Sequence, residues 1–183
     1  FVALPGARSP CFHPDGQSLL VLTGDAALRW PLTATNGEAH RHIGTAQTIL
    51  SAPGADLQRS RLSPDGTRLA LAGRSRSILL NLVDPAETDR PVEFARGHSQ
   101  AHAVVSPDHQ WIVATTHNGI GATLWRPNGK LHRTLLTNEN SIAAFSPDGR
   151  TLVTTSSRDC FSVCLTYSSR NRPNLSGEMT SLS

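Results

Sequence analysis

Apolar residues along this chain fall at strand spacing, in short runs that a turn signal closes each time. One turn recurs. His13-Pro14-Asp15-Gly16 returns as Ser63-Pro64-Asp65-Gly66, as Ser106-Pro107-Asp108-His109 and as Ser146-Pro147-Asp148-Gly149. An apolar residue stands two places before each proline (Phe12, Leu62, Val105, Phe145), and another five places after it (Leu19, Leu69, Ile112, Leu152). Proline presets φ at the second position of a β-turn, aspartate tolerates the third and glycine suits the fourth, so each turn joins two short strands. The aspartates follow one another at intervals of 50, 43 and 40 residues. The last two intervals match a four-stranded unit of about 40–45 residues. The first leaves room for an inserted loop, which the polar stretch Thr33–Thr45 supplies.

Four units follow, at about 5–51, 52–96, 97–136 and 137–166. In the first, strands are expected near Pro10–His13, Leu19–Thr23, Ala27–Trp30 and Thr48–Ser51. The second begins after a loop at Ala52–Gln58 and runs through Arg61–Ser63, Leu69–Ala72, Ile78–Val83 and Val92–Ala95. The third has Ala103–Ser106, Ile112–Thr116, Ala122–Trp125 and Leu131–Leu136. The fourth has three strands, Ile142–Ser146, Leu152–Ser156 and Phe161–Leu165. Ile78–Val83 is almost wholly apolar, as expected of a strand covered on both faces. Phe1–Leu4 reads as an outer strand able to complete the last unit, and 167–183 reads as a polar, mobile tail.

The Pro-Asp turns, Gly97-His98, Leu124-Trp125 and Asn128-Gly129-Lys130-Leu131 together resemble the WD40-repeat family of β-propellers. Arg29-Trp30-Pro31-Leu32 and Leu80-Asn81-Leu82-Val83-Asp84 resemble bacterial WD40 regions, some attached to serine/threonine kinases. The resemblance spans 1–166 and implies an all-β fold of four-stranded antiparallel blades. It further implies a buried hydrogen-bonded set of a His after Gly, a Ser or Thr on the second strand, an Asp in the next turn and a Trp on the third strand. His98, Thr115 or Thr116, and Trp125 match. The Asp position falls near Asn118-Gly119, so the set is incomplete. These residues are expected to be structural, because a buried imidazole and indole need partners. Rings of this family usually have more than four blades, and blades need stacked neighbours, so the chain is expected to be one arc of a larger ring. The missing initial Met agrees with an excised piece.

Composition narrows the function classes. No run is long enough to span a membrane, and no signal peptide opens the chain. Three cysteines without CxxC spacing fit free thiols in a reducing, cytoplasmic setting. The net charge of +3 is small, only Lys130 is a lysine, and the arginines are scattered, which argues against nucleic acid. His98 and His102, like His40 and His42, lack the further ligands of a zinc site. There is no nucleophile elbow, no H-E-x-x-H and no phosphate loop. No cofactor, metal or catalytic residue is therefore expected.

The leading expectation is a non-catalytic scaffold for protein–protein interaction in a bacterial signalling protein. The alternative is a ligand-binding or hydrolytic propeller, TolB-like or enzymatic. In the scaffold reading the loop face carries Arg8, Arg59, Arg74, Arg76, His98, His117 and Arg158 against Asp25, Asp56, Glu139 and Asp159. Arg74, Arg76, His117 and Arg158 are the candidate contacts for an acidic or phosphorylated protein segment, given arginine's planar multi-donor head. The inner strands, read as Ser, Ala, Val, Phe and Leu, leave the channel poor in ligands. The remaining partners expected are further blades of this or a second chain.

Overall fold

A computed structural model of the chain describes residues 6–34, 41–83, 90–95, 100–116, 121–136, 141–156 and 162–166. They form four antiparallel sheets in series, the architecture of successive β-propeller blades. Blade one holds β1 (Arg8–Phe12), β2 (Ser18–Leu22), β3 (Ala26–Ala34), β4 (Arg41–Ile43) and β5 (Gln47–Ser51). Blade two holds β6 (Leu57–Leu62), β7 (Arg68–Gly73), β8 (Ser77–Asn81) and β9 (Val92–Phe94). Blade three holds β10 (Gln100–Val105), β11 (Ile112–Thr116), β12 (Gly121–Trp125) and β13 (Leu131–Leu136). Blade four holds β14 (Ser141–Phe145), β15 (Thr151–Ser156) and β16 (Ser162–Thr166). Among the described residues there is no helix able to cross a membrane. The expected outer strand Phe1–Leu4 and the tail 167–183 lie outside the described residues.

The Pro-Asp turns are built as the sequence dictates. In each, the fourth residue donates its N–H to the first residue's carbonyl at 2.9 Å. Ser63, Ser106 and Ser146 donate their hydroxyls to the turn aspartates at 2.6, 2.6 and 2.5 Å. In the first turn His13 replaces serine, with Nδ1 2.9 Å from Asp15. The fourth position has positive φ: 67° at Gly16, 77° at Gly66, 68° at Gly149 and 57° even at His109. Neighbouring turns touch. His13 Nε2 lies 3.1 Å from the Gly66 carbonyl, and His109 Nε2 lies 3.1 Å from Asp65 Oδ1.

The apolar positions form cores between blades. Leu20, Leu22 and Leu50 of blade one pack on Leu57, Leu69 and Leu71 of blade two. Ala70, Ala72 and Leu79 meet Ala103, Val105 and Ile112 of blade three. Val113 and Leu124 meet Ala143 and Leu152 of blade four. Each sheet thus buries its faces against sequence neighbours, as stacked repeats do.

Two expectations change. Thr33–Thr45 is not a plain loop: β3 runs on to Ala34 and pairs with β4, Leu32 opposite Ile43 and Ala34 opposite Arg41. The ribbon's far end is exposed, so no core face imposes an alternation that would betray it. The second change is in blade two, whose first strand starts at Leu57, inside the stretch read as a loop. Leu57 is fully buried and pairs with Gly73, and a bulge follows before Arg59 pairs with Ala72.

Candidate functional site

Counting back from each turn proline gives the side chains of the first strand of every blade. The residues three and five places before it line the concavities between neighbouring first strands. The nearer row is Cys11, Arg61, Val104 and Ala144, and the farther row is Ser9, Arg59, His102 and Ile142. Pairing supports the orientation. Arg59 and Arg61 stand opposite Ala72 and Ala70, on the face turned to blade three, whereas Ser60 and Leu62 stand opposite Leu71 and Leu69, turned to blade one.

The rows line two adjoining concavities that share Arg61 and His102. One, of about 470 Å³, runs from Ser9 and Cys11 past Arg59. The other, of about 710 Å³, runs from Arg61 past Val104 and Pro107 to Ile142, Phe145 and Pro147. Among the described residues no acidic side chain lines either one, and neither Arg59 nor Arg61 pairs with a carboxylate. The wall therefore changes character along the arc, from hydroxyl and thiol, through two exposed guanidinium groups and an imidazole, to an apolar end.

This corrects the expectation of a channel poor in ligand groups. Arg59 belongs to a strand instead of the loop face, and Arg61 points inward. The signal was available: both occupy fixed distances from the second turn. The bulge at Leu57–Arg59 broke the alternation that would have marked the strand's start.

The chemistry on offer is anion binding with one proton-transfer group. Arginine keeps its charge at any physiological pH and presents a planar fork to carboxylate or phosphate. His102 brings an imidazole, the side-chain type that exchanges protons near neutral pH. Cys11 is no ready nucleophile. Burial pushes its thiol up, and the Ser60 hydrogen bond at 3.9 Å and the Arg61 charge only partly oppose that. Ser9 is engaged across blades, its hydroxyl accepting from the Ser60 N–H at 2.8 Å. Among the described residues no cluster of three or more His, Cys, Asp and Glu side chains is placed to hold a metal ion.

Of the expected partner-binding residues, Arg74 and Arg76 line neither concavity. Arg76 pairs with Glu93 at 2.8 Å and donates to the Pro53 carbonyl at 3.0 Å, so it ties the blade-two rim to a blade-one loop. Arg74 is exposed, 3.5 Å from Asp56, which also pairs with Arg8 at 3.3 Å. His117 and Arg158 lie outside the described residues, as does His98 of the expected structural set. Trp125 donates its indole N–H to Thr123 at 2.9 Å, and among the described residues Thr115 Oγ1, which is buried, has no hydrogen-bond partner, so these two are not bonded to each other. Thr116 Oγ1 instead closes onto Gly121 at 3.3 Å.

The WD domain, G-beta repeat model matches residues 129–161. That stretch runs from β13 of blade three into blade four, so the sequence repeat is offset from the structural blade. No curated protein matches the chain. Among solved structures, a putative 6-phosphogluconolactonase from Bacteroides uniformis superposes with a TM-score of 0.67 at 16% identity, over 95% of this chain and 53% of that one. A second putative 6-phosphogluconolactonase, from Bacteroides fragilis, gives 0.64 at 16% identity, over 88% and 51%. Hydrazine synthase of Kuenenia stuttgartiensis gives 0.61 at 15%, over 90% and 46%.

The chain spans about half the length of these structures. At such identities the likeness establishes the β-propeller fold, and none of the three is a kinase-linked protein. The expectation of a chain with no enzymatic role is overturned by the two putative 6-phosphogluconolactonases on the same architecture. That expectation rested on missing local motifs. A propeller collects its groups from several blades around a channel, so a local motif is a poor test.

Proposed function

We propose that this arc supplies an anion-binding wall to a propeller whose central channel takes up a small organic anion and acts on it hydrolytically. The observation that carries the reading is the placement of Arg59 and Arg61. They sit two residues apart on one face of β6, next to His102 in one cavity, and among the described residues they have no carboxylate partner and no acidic residue lines that cavity. Two uncompensated guanidinium groups in a concave site favour a negatively charged ligand. The lactonases with the same fold make a phosphorylated sugar acid a fitting first probe. In hydrolysis of a lactone the arginines would hold the anion, and His102 would take a proton from the water attacking the carbonyl and return it to the ring oxygen as the acyl C–O bond breaks.

The test is calorimetric titration of the chain with 6-phosphogluconate. Binding is expected, and the Arg59→Gln/Arg61→Gln double variant should weaken it at least tenfold, with thermal stability unchanged because both side chains are exposed. Equal affinity of the double variant, or no binding of any organic anion by the wild type, would defeat the reading.

A second reading has its own support in the WD40 match, since such repeats generally mediate protein–protein contacts. It places a protein partner on the loop face at Arg74, with Arg76, His117 and Arg158 as further candidates. Arg74 is 66% exposed there.

A further inference from the structure

The channel wall is sharply divided, and the division bears on what fits it. Starting from the proposed anion site, we infer that the ligand is a carboxylic acid with an apolar alkyl or aryl body, held head-first by Arg61 and lying along blade four. The inference rests on the anion-binding reading and adds the ligand's chemical class.

Three observations carry it. First, the cavity holding Arg61 and His102 continues without a break to Val104, Ile142 and Phe145. Second, among the described residues the polar side chains in its lining are few: beyond Arg61 and His102 the only one is Ser146, whose hydroxyl is already given to Asp148 at 2.5 Å. A polyhydroxylated sugar body would leave most of its hydroxyls facing aliphatic carbon, losing water contacts without replacement. Third, Ile142 is 61% exposed, a large aliphatic side chain left open on a concave wall where an apolar body would cover it. A volume of about 710 Å³ lies within the usual range for small-ligand sites. Charge complementarity fixes the direction, with the carboxylate at the guanidinium end and the hydrocarbon at the Ile142 end.

The experiment compares three probes by calorimetry on the whole chain: acetate, octanoate and 6-phosphogluconate. Octanoate is expected to bind at least tenfold more tightly than acetate, because each methylene that leaves water adds to affinity. Ile142→Ser should cut octanoate affinity about tenfold and leave 6-phosphogluconate unchanged. Arg61→Gln should weaken both. Ala144→Asp, also at an exposed position, is a second variant that should repel octanoate without touching the fold.

The outcomes separate the two claims. If 6-phosphogluconate binds through the arginines and octanoate binds no better than acetate, the apolar-acid inference is overturned while the anion channel stands. If no probe binds, the channel reading falls and this inference with it. If light scattering shows a dimer that Ile142→Ser dissolves, the apolar end is covered by a second copy, and the inference is overturned in favour of that contact.

Discussion

Asp65 does three jobs at once. It accepts the Ser63 hydroxyl at 2.6 Å, closes its own turn through the Thr67 N–H at 3.1 Å and hydroxyl at 2.8 Å, and meets His109 of the next blade at 3.1 Å. Partial burial pushes its carboxyl up, but the Ser63 and Thr67 hydrogen bonds and the His109 charge outweigh that and hold it well below the usual carboxylate range. Asp148, through Ser146 and the Arg150 N–H, and Asp15, chiefly through the Gln17 N–H, shift the same way. A carboxyl whose folded-state pKa is depressed contributes stability that is fully present above its unfolded value and lost as pH falls through the folded one. The melting temperature should therefore drop as pH falls below about 4, the ordinary aspartate range. Asp65→Asn should lower the melting temperature at pH 7 and flatten the acid limb. An acid limb of unchanged slope in the variant would remove Asp65 from this role.

At the scale of the strand, burial decides what each position contributes. Leu71 of β7 is fully buried against Leu20, Leu22 and Leu57, so Leu71→Ala removes packing at the seam of blades one and two. It should cost about 2–5 kcal/mol in urea unfolding. Val153 of β15 is 38% exposed, and Val153→Ala should stay within about 0.5 kcal/mol. Equal costs would mean that the seam is not where the cohesion lies. The same contrast explains what could be read beforehand. The Ser-Pro-Asp-Gly turns were legible because their hydrogen bonds are local and need particular residue types. The β7, β11 and β15 strands were legible because one or both faces are buried. The β3–β4 ribbon was not, because nothing buries its far end. The channel rows were half legible: the spacing from each proline is fixed, but a bulge hid the start of β6, and Arg59 read as a loop residue. That Arg61, His102 and Ile142 line one cavity depends on the rotation between blades, which no local pattern encodes.

At the scale of the molecule, every core described here is shared by two adjacent blades, and none belongs to a single sheet. The channel wall follows the same logic, since its two rows take one residue each from every blade. Stability should then be a sum of nearest-neighbour terms, passed along the arc rather than held in common. Removing blade four by ending the chain after residue 136 tests this. It would uncover Trp111, Val113 and Leu124 of blade three, all buried in the intact chain, and remove the apolar end of the larger cavity. Hydrogen exchange should show amides of β11 and β12 losing protection by a large factor, while β2 and β7, whose shared core is two seams away, keep theirs. Uniform loss across all blades would show instead that the arc unfolds as one unit. In that case the arginines on β6 would depend on blade four for their position as well as for the wall beside them.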